Sequence, residues 1–299
     1  MTTAVDSNQT RGNLLGVSAI LLWSTMTSLM RLLSETYGAT AGAALMYTVA
    51  TVVLALMMGW PSLRQFPVRY LVIVGSLFVA YEVALFFALA CAQTRAQAIE
   101  VAMLNHLWPC LTVALAALMR LQRASPLLIP GLAISLFGVS WILSGGQGLS
   151  LESILQNARH NPLSYGLGAS CALIWALYCC ISKRIAHEKD AIVPFFAMAS
   201  ALLWSVFAFS DETLHVPDLR GGVLLLATGA IIALGYAAWN KALRSGNLMM
   251  LAAISYTAPV LSSLFSSVIL STALRISFWQ GALLVTLGSL VCWWASRRG

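Results

Sequence analysis

Glu82 lies in the middle of the apolar run LFVAYEVALF, with no lysine or arginine near it in sequence. Keeping a carboxylate ionised at that depth in hydrocarbon costs about 3 kcal/mol or more, so the group is protonated, paired or turned toward water. Such a residue can bind a substrate ammonium or exchange a proton; it can equally be a neutral acid bonded between helices. His106, in MLNHLWP, carries the side chain that titrates nearest neutrality, which suits a proton site. A lone histidine also serves as a plain hydrogen-bonding fixture. No second His, Cys or carboxylate stands at ligand spacing around it, and no metal is expected. Trp23, Trp108 and Trp175 occupy the middle of apolar runs rather than their ends. An indole N–H at that depth needs a partner, so a cavity wall and a core residue bonded to a carbonyl both fit. Trp175 shares a helical stripe with Cys171, Tyr178 and Ser182, and Tyr81, Tyr236, Trp239 and Asn240 add similar amphipathic groups. Glu100 stands one turn from Arg95, which predicts an ion pair at the rim.

These groups need apolar helices to carry them, and the composition supplies little else. Of 299 residues 60% are hydrophobic and 9% charged, where a soluble domain carries about 25% charged. The mean hydropathy is +0.84. The chain is predicted to be all-α and polytopic, embedded in a lipid bilayer. Apolar windows give ten transmembrane helices, at 12–33, 38–59, 68–91, 96–119, 125–144, 162–184, 190–210, 219–243, 247–270 and 277–295. Ten spans put both termini on one side. Assigning that side to the cytoplasm leaves 12 lysines and arginines inside and 5 outside, as the positive-inside rule requires. The net charge of +7 is scattered singly between spans, which argues topology selection and no nucleic-acid partner.

The chain also repeats itself. AQAIEVAMLNHLWPCLTVALAALM, 96–119, is answered by GNLMMLAAISYTAPVLSSLFSSVIL, 246–270. Pro109 matches Pro259, Asn105 matches Ser255, and Thr112 matches Ser262. Gly131 and Gly138 match Gly281 and Gly288, and Trp23 matches Trp175. A mid-span proline frees a carbonyl and kinks its helix, so Pro109 and Pro259 read as paired gate elements or as fixed kinks that widen a cavity. Each repeat holds five spans, an odd number, so the two must have inverted topology. This gives a first five-helix repeat at 12–144, an extracytoplasmic connection at 145–161 and a second repeat at 162–295. Secondary transporters are commonly built so, with substrate held at the midplane between halves. The expected cavity residues are Trp23, Tyr81, Glu82, Asn105, His106, Trp108, Trp175, Tyr178, Tyr236, Asn240, Ser255 and Tyr256. No Walker loop or nucleophile elbow occurs, and neither an enzyme nor a cofactor is expected.

Longer stretches carry a family likeness. LLWSTMTSLMR, YEVALFFALACAQTRAQAIEVAMLNHLWP, PLSYGLGASCALIWALYCC, GYAAWNKAL, ISYTAPVLSS and FWQGALLVTLGSLVCW resemble the YddG-type aromatic amino acid exporters. These belong to the drug/metabolite transporter superfamily, in the branch with paired EamA domains. The resemblance implies ten helices, a central cavity and a bacterial inner-membrane location; alternating access through that cavity, by a monomer, is the mode of transport expected. It implies efflux of phenylalanine, tyrosine and tryptophan, with drug-like organic cations such as paraquat as the alternative cargo. The chain departs from the family in two places. A Gly-Glu pair expected after each proline helix is replaced by LMRLQRAS and ILSTALRIS, and His106 stands where tyrosine is usual.

Overall fold

Inside hydrocarbon a backbone has no water to bond, so long apolar windows close their hydrogen bonds within themselves as helices. The computed structural model describes residues 2–121, 125–144, 156, 158–185, 191–214, 218–246, 251 and 254–298, and its regular structure is entirely helical. In chain order the elements are α1 (Thr2–Ser24), α2 (Met26–Tyr37), α3 (Ala39–Met58), a five-residue π turn (Tyr70–Val74) running into α4 (Gly75–Ala90), α5 (Arg95–Asn105), α6 (Trp108–Leu118), α7 (Leu128–Leu143), α8 (Pro162–Ile185), α9 (Ile192–Ala208), α10 (Leu219–Ser245), α11 (Ala258–Ile269) and α12 (Ile276–Arg298). Most of the connection expected at 145–161, and the start of the window at 247–270, lie outside the described residues.

Seven stretches are long and apolar enough to cross a bilayer: Thr10–Tyr37, Ala39–Met58, Tyr70–Ala90, Arg95–Leu118, Pro162–Ser182, Leu219–Ala242 and Ile276–Ala295. The other three expected windows hold shorter apolar helices, Leu128–Leu143, Ile192–Ala208 and Ala258–Ile269. The chain is a multi-pass membrane protein.

Several spans are interrupted, and each break has a local cause. The first span divides at Thr25, whose Oγ1 donates to the carbonyl of Leu22 at 2.7 Å while Ser28 Oγ donates to Thr25's own carbonyl at 2.8 Å. Hydroxyls that bond back into the preceding turn bend a helix. Between α5 and α6, and again before α11, two residues leave the helix one turn ahead of a proline. Pro109 and Pro259 both stand at the second position of the helix that resumes, where a missing N–H is cheapest. Both of those helices end alike. Arg120 (φ 57) and Ser271 (φ 50) adopt the left-handed conformation, and the next N–H reaches back to Ala116 and Ser267 at 2.8 Å. These are the positions just beyond the proline helices where the family likeness led us to expect a glycine.

Glycine sets the closest helix approaches. On α7 and α12 a Cβ at Gly138 would stand 2.7 Å from the carbonyl oxygen of Gly281, and one at Gly131 would stand 3.0 Å from that of Gly288. The pairing runs in opposite directions along the two helices, so they are antiparallel. Gly16 lies against Leu251 and Gly168 against Val101, so corresponding glycines of the two repeats each receive a side chain from the other repeat. Other neighbours follow suit: α1 packs on α10 as α4 packs on α8, with α3 and α9 packed together between them. At the start of α3, Gly38 (φ 89) clears room for Glu212, whose carboxylate accepts from the N–H groups of Ala39, Thr40 and Ala41 at 3.0–3.1 Å.

Gly138→Ala should lower unfolding stability in detergent by about 1–3 kcal/mol, because backbone atoms cannot move aside. Gly222→Ala, with nothing within 4 Å of its Cβ, should be neutral or slightly stabilising; thermal unfolding of the purified variants checks the contrast. The same assay tests the helix ends. Arg120→Gly and Ser271→Gly should each gain about 0.5–1 kcal/mol by removing left-handed strain.

Candidate functional site

α1, α2, α4, α8 and α10, with the two proline-broken spans, line a cavity of about 300 Å³. Two aromatic clasps face across it. On one side Trp23 meets Tyr236 with ring centroids 5.0 Å apart and Trp239 at 5.5 Å. On the other Trp175 meets Tyr81 at 4.4 Å, with Trp108 edge-on to it at 6.5 Å. Both clasps join the first helix of one repeat to a helix of the other, and Gly235 makes the first possible by leaving room for the Trp23 indole.

Glu82 lies beneath this wall, 1% exposed. Its Oε1 accepts from the Tyr236 hydroxyl at 2.5 Å and its Oε2 from the Tyr47 hydroxyl at 2.6 Å. Among the described residues no cation pairs with it. The buried acid is thus matched by neutral hydroxyls, and it ties α3, α4 and α10 together directly under the rings. Tyr236, held by Glu82, in turn meets Trp23, Phe78 and Phe196.

Asn105 ends α5 where the Pro109 break begins, and its Nδ2 donates to the Tyr81 hydroxyl at 3.2 Å. Its Oδ1, and Nε1 of Trp23, are buried with no hydrogen-bond partner. His106 and Ser255 also line the cavity. Tyr178 stands outside the lining and stacks on Trp175 at 4.7 Å. Tyr256 is buried near Trp293 with centroids 6.3 Å apart, Asn240 lies one residue past Trp239, and both prolines are buried in the helix turns behind the wall.

Sequence reading passed over Thr27, Met30, Leu85 and Leu89, all of which line the cavity. Helical spacing held the signal: Thr27 and Met30 follow Trp23 at four and seven residues, and Leu85 and Leu89 follow Tyr81 at four and eight. Thr27 is joined to Ser262 of the other repeat at 3.2 Å.

The two ends of the cavity differ. Met30 and Leu89 at one end are 1% and 0% exposed, whereas Trp108, Cys179, Trp239 and Ser255 toward the other are half-buried. The open end is the one where Gly12 of α1 meets Ser245 and Gly246 at the end of α10. Behind the closed end Arg31 donates to Glu35 at 2.8 Å and to the carbonyls of Leu89, Ala90 and Ala92 at 3.0, 3.1 and 2.6 Å. Arg95 completes the plug, donating to Glu35 at 2.7 Å and to the Leu270 carbonyl at 3.3 Å. The rim pair expected between Glu100 and Arg95 is therefore corrected. Glu35 takes Arg95, and Glu100 instead accepts from the Tyr165 hydroxyl at 2.9 Å, because Gln97 and Glu100 lie on the face of α5 turned away from the plug.

Comparison with known proteins agrees in kind. The EamA-like transporter family model matches twice, over residues 10–144 and 163–294. The aromatic amino acid exporter YddG of Salmonella typhimurium is 41% identical over 288 residues, covering 96% of this chain and 98% of the relative. Its namesake from Escherichia coli K12 is 41% identical over 289 residues, covering 97% and 99%. A solved crystal structure at 26% identity superposes with a TM-score of 0.64 over 97% of this chain and 99% of its own.

Tyr47→Phe and Tyr236→Phe should each cost about 1–3 kcal/mol of stability, since each leaves one Glu82 oxygen buried without a donor. Glu82→Gln should cost less than either, because a carboxamide can accept from one hydroxyl and donate to the other. Thermal unfolding of the three variants in one detergent decides it, and a Gln variant worse than both Phe variants would mean that a charge is being held.

Proposed function

The chain belongs to the EamA-like transporter family, and on that premise we propose that it exports phenylalanine, tyrosine, tryptophan and other large apolar amino acids through the aromatic cavity. One observation carries this. Trp23 and Tyr236 on one side and Trp175 and Tyr81 on the other leave a ring-lined slot of about 300 Å³ between them. Aromatic side chains bind best in apolar pockets with aromatic walls, where a few polar groups orient the rest of the ligand. Asn105 Oδ1 and Trp23 Nε1 are such groups, an acceptor for the substrate ammonium and a donor for its carboxylate. An unpartnered buried polar atom costs about 1–3 kcal/mol, which substrate binding would recover. The relatives named above bear the name aromatic amino acid exporter.

In this reading ten helices form two inverted five-helix repeats, with both termini in the cytoplasm of a bacterial inner membrane and the monomer as the working unit. The antiparallel pairing of Gly131 and Gly138 with Gly288 and Gly281 supports the inversion. The Arg31–Glu35–Arg95 plug then lies on the extracytoplasmic side, and the cavity faces the cytoplasm ready to load. Alternating access moves the arms beyond Pro109 and Pro259 and replaces the Thr27–Ser262 contact. Glu82 acts here as a positioning residue that holds Tyr236. A second reading, export of flat organic cations, draws on the same rings, since aromatic faces attract cations.

Trp23→Ala and Trp175→Ala should lower phenylalanine flux in proteoliposomes about ten-fold while changing threonine flux no more than about two-fold. Equal losses would indicate a packing defect instead. Paraquat run in parallel separates the two cargoes: wild-type flux for paraquat exceeding that for phenylalanine would favour the cation reading.

A further inference from the structure

A second pocket, of about 450 Å³, opens beyond the plug, between the start of α5, the start of α8 and the loop that leads into α12. Its size falls within the range of small-molecule sites, about 300–1,000 Å³. Its chemistry is unlike that of the central cavity. Gln97, Glu100, His160, Tyr165 and Arg275 line it, with Phe278 as apolar floor. Glu100 takes the Tyr165 hydroxyl at 2.9 Å, and Arg275 interacts electrostatically with Glu100. One helix separates the two chambers: Ala102 and Asn105 of α5 face the cavity while Gln97 and Glu100 face the pocket.

We infer that this pocket is a release-side binding site for zwitterionic α-amino acids, with Glu100 taking the ammonium and Arg275 the carboxylate. A carboxylate and a guanidinium in one pocket match the two charges of an α-amino acid, and Arg presents a planar fork suited to a carboxylate. The zwitterion would set its ammonium against Glu100 and its carboxylate against Arg275, in place of the attraction between those two side chains. Phe278, Ile142 and Leu274 give the pocket an apolar side against which the ligand's side chain would rest. The pocket recognises the backbone portion common to all amino acids, and the central cavity recognises the ring. Arg95, which bonds Glu35 and the Leu270 carbonyl, sits at the start of the same helix, so opening the plug would join the two chambers.

The inference rests on the export function just proposed, and the test keeps the two apart. Uptake of labelled phenylalanine would be measured into membrane vesicles of both orientations, giving a half-saturating concentration at each face. Glu100→Gln should raise it about ten-fold at the face away from the termini and no more than about two-fold at the other. Arg275→Gln should do the same, and Arg275→Lys, which retains the charge, should lose less. Competition at the outer face assigns the charges. Phenethylamine should lose potency in Glu100→Gln and 3-phenylpropionate in Arg275→Gln, each leaving the other inhibitor unchanged. Trp175→Ala should weaken phenylalanine at both faces. Wild-type vesicles that carried no phenylalanine would overturn the export function and this inference with it. Normal wild-type transport, with Glu100→Gln affecting both faces alike or neither, would overturn the outer site alone.

Discussion

A carboxyl group held away from water must find its hydrogen-bond donors inside the protein, and the arrangement around Glu82 follows from that requirement. Two ring hydroxyls reach it from α3 and α10, so three helices converge on one side chain. Tyrosine is the economical donor there. Its hydroxyl satisfies the acid, and its ring stays apolar enough to build the wall above. The wall is therefore not an accumulation of rings on a greasy surface. Tyr236 is fixed at its hydroxyl end by Glu82, and its face sets the position of Trp23. The clasp between Tyr81 and Trp175 is steadied by Asn105, which lies where the Pro109 break begins. Chemistry at the midplane and the shape of the broken helices thus depend on one another.

Much of this was legible in the chain itself, because a bilayer restricts the choices. Apolar windows located the helices, and the offset between Pro109 and Pro259 located matching breaks in α5–α6 and before α11. Mid-span depth picked out Trp23, Tyr81, Glu82, Trp108, Trp175 and Tyr236, all on the lining. Depth alone could not choose between faces of a helix, which is why Tyr178, Asn240 and Tyr256 share the chemistry of the others and stand outside the lining. Aliphatic lining residues such as Leu85 and Leu89 carried no chemical flag. Their place shows only once Tyr81 is known to face inward.

Ion pairing was harder to read. Glu100 and Arg95 lie close along the chain, but Arg95 turns to Glu35, sixty positions earlier, which no local pattern announces. The left-handed residues Arg120 and Ser271 show a different limit. A helix end can close through a strained residue where glycine would have been easier, and the missing glycine marks the position without showing that the backbone keeps the left-handed turn. The hydrogen bonds from Leu121 and Thr272 to the preceding turn hold both positions in place.

The contact between α7 and α12 has a mechanical consequence. Most helix interfaces can slip a little, because side chains exchange rotamers and refill the gaps. Here carbonyl oxygens lie against glycines at Gly131, Gly138, Gly281 and Gly288, so the interface is largely main chain and offers few rotamers to exchange. Sliding along such a seam would drive backbone into backbone at once, whereas a small rotation about it costs little. The seam behaves like the spine of a book: it stays nearly still, and a tilt of a few degrees there becomes a displacement of ångströms at the far edges of the pages.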